Sequence, residues 1–153
     1  MLRLRPPRAD EGPALTALCL RSKASHGYDQ TFMEACRKEL TVDPSRPDIA
    51  VAEIDGLRVG MAEISVAGDE AELEKIFVEP ACYEKGAGRM LFDWARTEAA
   101  KRGARVLTFD ADPGAVAFYE KMGALIIGRS PSGSIPGRML PRLRLRLNEA
   151  ADA

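Results

Sequence analysis

Leu2 to Arg5 alternates apolar and basic side chains, the two-residue period of a short half-buried strand, and Pro6-Pro7 ends it. The period then lengthens. Leu15, Leu18 and Cys19 share one face of a helix predicted over about Pro13 to Lys23, with Asp10 as its cap. Ser25 to Asp29 breaks it. Thr31 and Glu34 have capping-box spacing ahead of a second helix with a Phe32, Cys36, Leu40 stripe. Ile49 to Glu53 and Leu57 to Ile64 read as strands joined by the hairpin signal Asp55-Gly56. A third strand of this group runs from Ala71 to Val78. A helix over about Gly88 to Arg102 follows, burying Met90, Leu91, Trp94, Ala95 and Ala99 and closed by Gly103. Arg105 to Phe109 is a strand, Pro113 to Met122 a short helix, and Leu125 to Ile127 and Met139 to Leu147 the last strands.

This order, β-α-α-β-β-β-α-β-α-β-β, predicts an α/β fold of mixed, α+β-like character. It is a central sheet of about six to seven strands flanked by about four helices. Strict βαβ alternation is absent, which argues against a dinucleotide-binding fold. The length of 153 residues suits a single domain over 1–153. A net charge of −1 gives no field for nucleic acid or an anionic membrane. No apolar run is long enough to span a bilayer, and the first ten residues lack the core of a secretory signal. Three cysteines without CxxC spacing read as reduced thiols, so the expected compartment is the cytoplasm. With His26 the only histidine, no metal site is expected.

Candidate chemistry concentrates in two segments. Val78 to Arg89 joins a strand to a helix and contains Lys85-Gly86-Ala87-Gly88-Arg89. Its glycines allow close backbone approach, and the helix start offers unpaired N–H groups and a positive dipole end. With Lys85 and Arg89 the segment suits a pyrophosphate, although a tight packing turn gives the same pattern. No Ser or Thr follows a Gly-Lys pair here, which counts against a nucleotide-triphosphate loop. The second segment runs from Asp112 through Ala115 to Tyr119. There Phe118 and Tyr119 point about 100° apart, so one enters the core while the other faces a cleft.

Together the segments resemble the GNAT superfamily of N-acetyltransferases. Tyr83-Glu84-Lys85-Gly86-Ala87-Gly88 resembles its acetyl-CoA signature, Gln/Arg-x-x-Gly-x-Gly/Ala. Asp112 through Ala115 to Tyr119 resembles its Asn-x-x-Ala-x-x-x-Tyr segment, and Ile76-Phe77-Val78-Glu79-Pro80 the preceding strand. Tyr83 and Asp112 depart from the pattern. Tyr83 can still hydrogen-bond a phosphate, without charge, and Asp112 cannot donate as an amide would.

The resemblance implies a GNAT-type domain that moves an acetyl group from acetyl-CoA to a primary amine by direct attack in a ternary complex. Ile76, Phe77, Val78, Glu84, Lys85, Gly86, Ala87, Gly88, Arg89 and Asp112 would bind acetyl-CoA, and Tyr119 would be the general acid. Glu72 matches a catalytic glutamate of some members. Glu72 and Glu74 share a strand face, and the base stays open among Glu72, Glu74, His26 and water. Cys82 has no histidine near in sequence to activate it for a covalent route. Arg142, Arg144 and Arg146 alternate on one strand face and read as solvated. The acceptor amine is expected near Ser25 to Phe32 and Ser130 to Gly137. A homodimer through Met139 to Leu147 is expected as cover for an exposed strand. Transfer of a longer acyl group, or a catalytically silent acetyl-CoA-binding module, remains the alternative.

Overall fold

The computed structural model describes residues 1–147; the last six positions of the expected 1–153 domain lie outside the described residues. Seven strands and four helices follow in the expected order: β1 (Leu2–Arg5), α1 (Gly12–Ala24), α2 (Gln30–Leu40), β2 (Ile49–Ile54), β3 (Leu57–Ala67), β4 (Glu70–Val78), α3 (Ala87–Lys101), β5 (Val106–Asp110), α4 (Val116–Lys121), β6 (Leu125–Pro131) and β7 (Met139–Arg146). The strands form one mixed sheet in the order β1-β2-β3-β4-β5-β7-β6. β4 and β5 pair in parallel, and β5–β7 and β6–β7 are antiparallel. The α/β expectation therefore holds. Contacts divide the chain into two compact units, Met1–Glu63 with Lys75–Ala95, and Ile64–Glu74 with the described residues from Arg96 onward.

In the first unit β1, β2 and β3 pair antiparallel, and Asp55-Gly56 makes the tight hairpin turn with both residues at positive φ (50° and 83°). Leu15, Leu18 and Cys19 of α1 and Cys36 and Leu40 of α2 are buried as expected. α3 is rotated from the expected face. Leu91, Phe92, Ala95 and Ala99 are buried, whereas Trp94 is only half-buried. The stripe centres on Ala95, and Trp94 points about 100° away from it. α3 comes close to β3 at Gly60. A Cβ there would stand 2.9 Å from the Phe77 carbonyl oxygen and 3.0 Å from Leu91 Cδ1. In the second unit, Leu107, Phe109, Leu143 and Leu145 are buried.

The helix starts differ from expectation. Asp10 does not cap α1; Glu11 occupies the cap position and makes no side-chain capping bond. Its carboxylate is drawn elsewhere. It accepts from Arg5 Nη1 and Nη2 (2.8 and 2.7 Å), from the Arg8 N–H (2.7 Å) and from Arg58 Nη1 (3.0 Å). α2 is capped by Asp29, which accepts from the Phe32 N–H at 2.8 Å, so no Thr31–Glu34 box forms. Glu34 instead pairs with Arg37. The C-terminal strand Met139–Arg146 lies between β5 and β6, so it is not an edge; the edges of the sheet are β1 and β6.

The Glu11 cluster joins β1, α1 and β3, and Arg5 Nε extends it to Glu53 of β2 (2.8 Å). The Glu11 side chain is only 4% exposed. Its bonds to Arg5 hold its carboxyl down at about 2, against an ordinary 4.5. A depressed carboxyl stabilises the fold fully above its unfolded value and loses that contribution as pH falls from about 4.5 toward 2. Glu11→Gln should therefore cost about 3 kcal/mol at neutral pH, as a broken buried pair does. Its stability should also fall less steeply than wild type across that acid window. Urea melts at a series of pH values check both; parallel wild-type and variant curves would refute the assignment.

Candidate active site

The strand-to-helix segment is built by local hydrogen bonding. As β4 ends, the Glu79 N–H reaches back to the Val59 carbonyl at 2.7 Å. Pro80–Cys82 then forms a 3-10 turn that the sequence pattern did not disclose. Lys85 N–H bonds the Cys82 carbonyl at 3.1 Å. Gly86 sits at φ +86°, a conformation L side chains rarely adopt, and a Cβ there would meet open space. The Met90 N–H bonds the Gly86 carbonyl at 3.0 Å, so the N–H groups of Ala87, Gly88 and Arg89 form the first turn of α3. Glu84, Lys85 and Arg89 are exposed around it, and Ala87 is buried beneath. This is a positive, backbone-lined surface suited to an anion. Ile76 and Phe77 are half-buried and Val78 is buried in the strand that leads to it.

Tyr83 does not point its hydroxyl at this surface. The hydroxyl lies 2.6 Å from Ser25 Oγ and 3.1 Å from the Ser22 carbonyl oxygen. Arg21 pairs with Glu79 beside it, Nε to Oε1 at 3.0 Å. Both ties run from the last turn of α1 to the segment just before the glycine loop. Nearby, Tyr28 and Phe32 stack with centroids 4.0 Å apart and Lys23 Nζ over both rings. His26 is exposed, 6.4 Å from the Tyr28 ring.

The remaining expected residues belong to the second unit. Glu72 and Glu74 both lie there on β4 but differ in surroundings. Glu72 is held by Arg142, Nη2 to Oε1 at 2.6 Å and Nη1 to Oε2 at 2.8 Å, and accepts from the Thr108 hydroxyl at 3.1 Å. Arg142 also bonds Asp110 at 3.0 Å, so unlike exposed Arg144 and Arg146 it is not a solvated arginine. Glu74 is exposed and accepts from the Ser65 hydroxyl at 2.6 Å.

Of the adjacent aromatics on α4, Tyr119 is the buried one and Phe118 the exposed one. The Tyr119 ring packs on Phe109, centroids 4.6 Å apart. Asp112 precedes the 3-10 turn Pro113–Ala115 that leads into α4, and pairs with Arg138 at 3.3 Å. Arg138 and Arg142 were not visible as partners in the sequence, because pairings across more than twenty residues leave no local pattern. Burial, and secondarily the Asp112 charge, push the Tyr119 phenol well above its ordinary 10. Among the thiols, Cys19 and Cys36 are buried and Cys82 is half-exposed. Burial pushes Cys19 up to about 12.

The model of the acetyltransferase (GNAT) family matches residues 16–124. The chain belongs to this family. It is therefore an N-acetyltransferase, an enzyme of acyl transfer. Peptidyl-lysine N-acetyltransferase YjaB of Salmonella typhimurium is 32% identical to this acetyltransferase over 149 residues, covering 95% of this chain and 97% of the relative. Two solved structures share the fold. One is a GCN5-related N-acetyltransferase from Rhodopseudomonas palustris, with TM-score 0.79, 24% identity and 95% of each chain covered. The other is the PaiA N-acetyltransferase of Thermoplasma acidophilum in complex with coenzyme A, with TM-score 0.76, 18% identity and coverage of 95% and 99%. No helix among the described residues is long and apolar enough to cross a membrane.

The Tyr119 environment can be read directly by titration. The ultraviolet difference between wild type and Tyr119→Phe should show no phenol ionising near 10, only far above it. Because the unfolded chain releases that proton first, the folded state should lose stability as pH climbs past 10. A difference spectrum that titrates at the ordinary value would show that the ring is solvated.

Proposed function

We propose that this acetyltransferase takes an acetyl group from acetyl-CoA and places it on the side-chain amine of a lysine in a peptide or protein, the whole chain serving as one catalytic domain. The observation that carries the cofactor assignment is the glycine turn at Gly86. It presents the first turn of α3, flanked by Lys85 and Arg89, to an anion. Glu84 to Arg89 and the β4 end, Ile76 to Val78, form the acetyl-CoA contacts in this reading, with Asp112 contributing beside Tyr119. The acceptor class rests on the peptidyl-lysine relative, which spans nearly the same length. The coenzyme A complex of the Thermoplasma neighbour supports the donor class.

In the reaction the neutral amine attacks the thioester carbonyl. A C–N bond forms, the C–S bond breaks and the CoA sulfur leaves. Backbone N–H groups at the β4 end stabilise the oxyanion. Tyr119 donates its phenolic proton toward the sulfur as charge builds there. Its raised ionisation keeps that proton in place across neutral and alkaline pH. The proton lost by nitrogen goes to Glu74. Glu72 has both oxygens engaged by Arg142, whereas among the described residues Glu74 holds only the Ser65 hydroxyl. Glu72 then braces the strand.

The decisive assay follows thiol release and peptide mass with acetyl-CoA and a lysine peptide. Tyr119→Phe keeps the ring's packing on Phe109, so coenzyme A affinity should hold while turnover falls about 10²-fold. A longer acyl donor run in parallel distinguishes acetyl transfer from its alternative. Wild-type turnover in Tyr119→Phe, with chemistry shown to limit the rate, would remove Tyr119 from the mechanism. The absence of transfer to any amine would leave a silent binding module.

In the same reading a second copy covers β6. This edge strand exposes Leu125, Ile126 and Ile127 at 71%, 52% and 46%, an apolar run with unpaired backbone groups. Light scattering should report a dimer at micromolar concentration and a monomer for Ile126→Lys. A monomeric wild type refutes the pairing.

A further inference from the structure

Tyr83 stands where the family signature has Gln or Arg, and its hydroxyl is turned to α1. Three groups close on one another there. Ser25 Oγ donates to the Ser22 carbonyl at 2.6 Å, and the Tyr83 hydroxyl lies 2.6 Å from Ser25 Oγ and 3.1 Å from the same carbonyl. This carbonyl is one of the last of α1 and also accepts from the Ser25 N–H at 3.3 Å. The Tyr83 ring is 45% exposed. It is therefore held here by its hydroxyl more than by burial. Two residues on is Lys85, and three on is Gly86. Ser25 opens the link from α1 to α2, whose next residues are His26 to Asp29. The Arg21–Glu79 pair repeats the tie one turn earlier, but Arg21 is 55% exposed, and exposed pairs are worth little.

We propose that Tyr83 is a positioning residue that couples the cofactor loop to the acceptor side. When coenzyme A fixes the glycine loop, the Tyr83–Ser25–Ser22 chain fixes the end of α1 and the α1–α2 link in turn. The donor's arrival thereby orders the segment assigned to receive the amine. This rests on the reading that residues 84–89 bind the donor and that Ser25 to Phe32 border the amine. Coupling through such a tie is reciprocal, and coupled sites typically change each other's equilibrium 5- to 150-fold or so.

The test is amide hydrogen exchange of the whole chain with and without coenzyme A. In wild type, coenzyme A should slow exchange at residues 84–89 and, by about tenfold, at residues 22–30. In Tyr83→Phe, which keeps the ring, protection at 84–89 should persist while that at 22–30 falls to about threefold or less. Ser25→Ala, which removes the other hydroxyl, should do the same and serves if Tyr83→Phe folds poorly. Wild-type protection of 84–89 without 22–30, or full protection of 22–30 in both variants, overturns the coupling alone. Failure of coenzyme A to protect 84–89 in wild type overturns the donor-site reading itself, and the coupling with it.

Discussion

The bare backbone at Gly60 is the constraint on which the arrangement of the first unit turns. Phe77, at the end of β4, and Leu91, in the second turn of α3, both come within about the reach of a methyl group there. Any side chain would have to displace the Phe77 carbonyl and push the end of the Leu91 side chain aside. The cost would be that of an overpacked core, roughly 1–3 kcal/mol, together with a shift of the β4 end that leads to the start of α3. That starting point matters because the first turn of α3 and the Gly86 turn before it are one continuous piece of backbone. Backbone N–H groups, here proposed to receive the donor's phosphates, cannot compensate for displacement by choosing another rotamer.

Charge organises the rest of that unit where apolar contact cannot. Glu11 and Glu53 are buried carboxylates, and desolvating them would be prohibitive without Arg5 between them and Arg3, Arg8 and Arg58 around them. Glu63 follows the same rule with Arg46 and Lys75. Such clusters fix geometry through direction, since each guanidinium N–H has one favourable approach to a carboxylate oxygen. They tie together strands and a helix start.

Element order and type were legible in the sequence because period and punctuation agree along nearly the whole chain. Asp55-Gly56 forms the turn its residues demand. Details failed where a side chain had a better offer at long range. Glu11 forgoes local capping for three arginines. Thr31 yields the α2 cap to Asp29 because the chain turns two residues earlier than the pattern indicates. Trp94 looks like core by size, but Phe92 lies nearer the centre of the buried stripe. The candidate site divides likewise. The Gly86 turn follows a local rule of conformation, whereas the spacing of Phe118 and Tyr119 left open which of them is buried, and packing on Phe109 decides for Tyr119. The partners of Tyr83, Glu72 and Asp112 depend on tertiary contacts, which no spacing along the chain encodes.

The burial of Cys19 has a consequence for an enzyme that handles a thioester. A thiolate that meets acetyl-CoA can take the acetyl group by thiol–thioester exchange, and only the ionised form does so readily. With its ionisation pushed up to about 12 and no exposed surface, Cys19 stays a thiol that the donor cannot reach. Cys36 is buried too. The protein thus keeps two of its three thiols out of competition with the amine. It also contributes little background when the freed coenzyme is counted with a thiol-reactive dye.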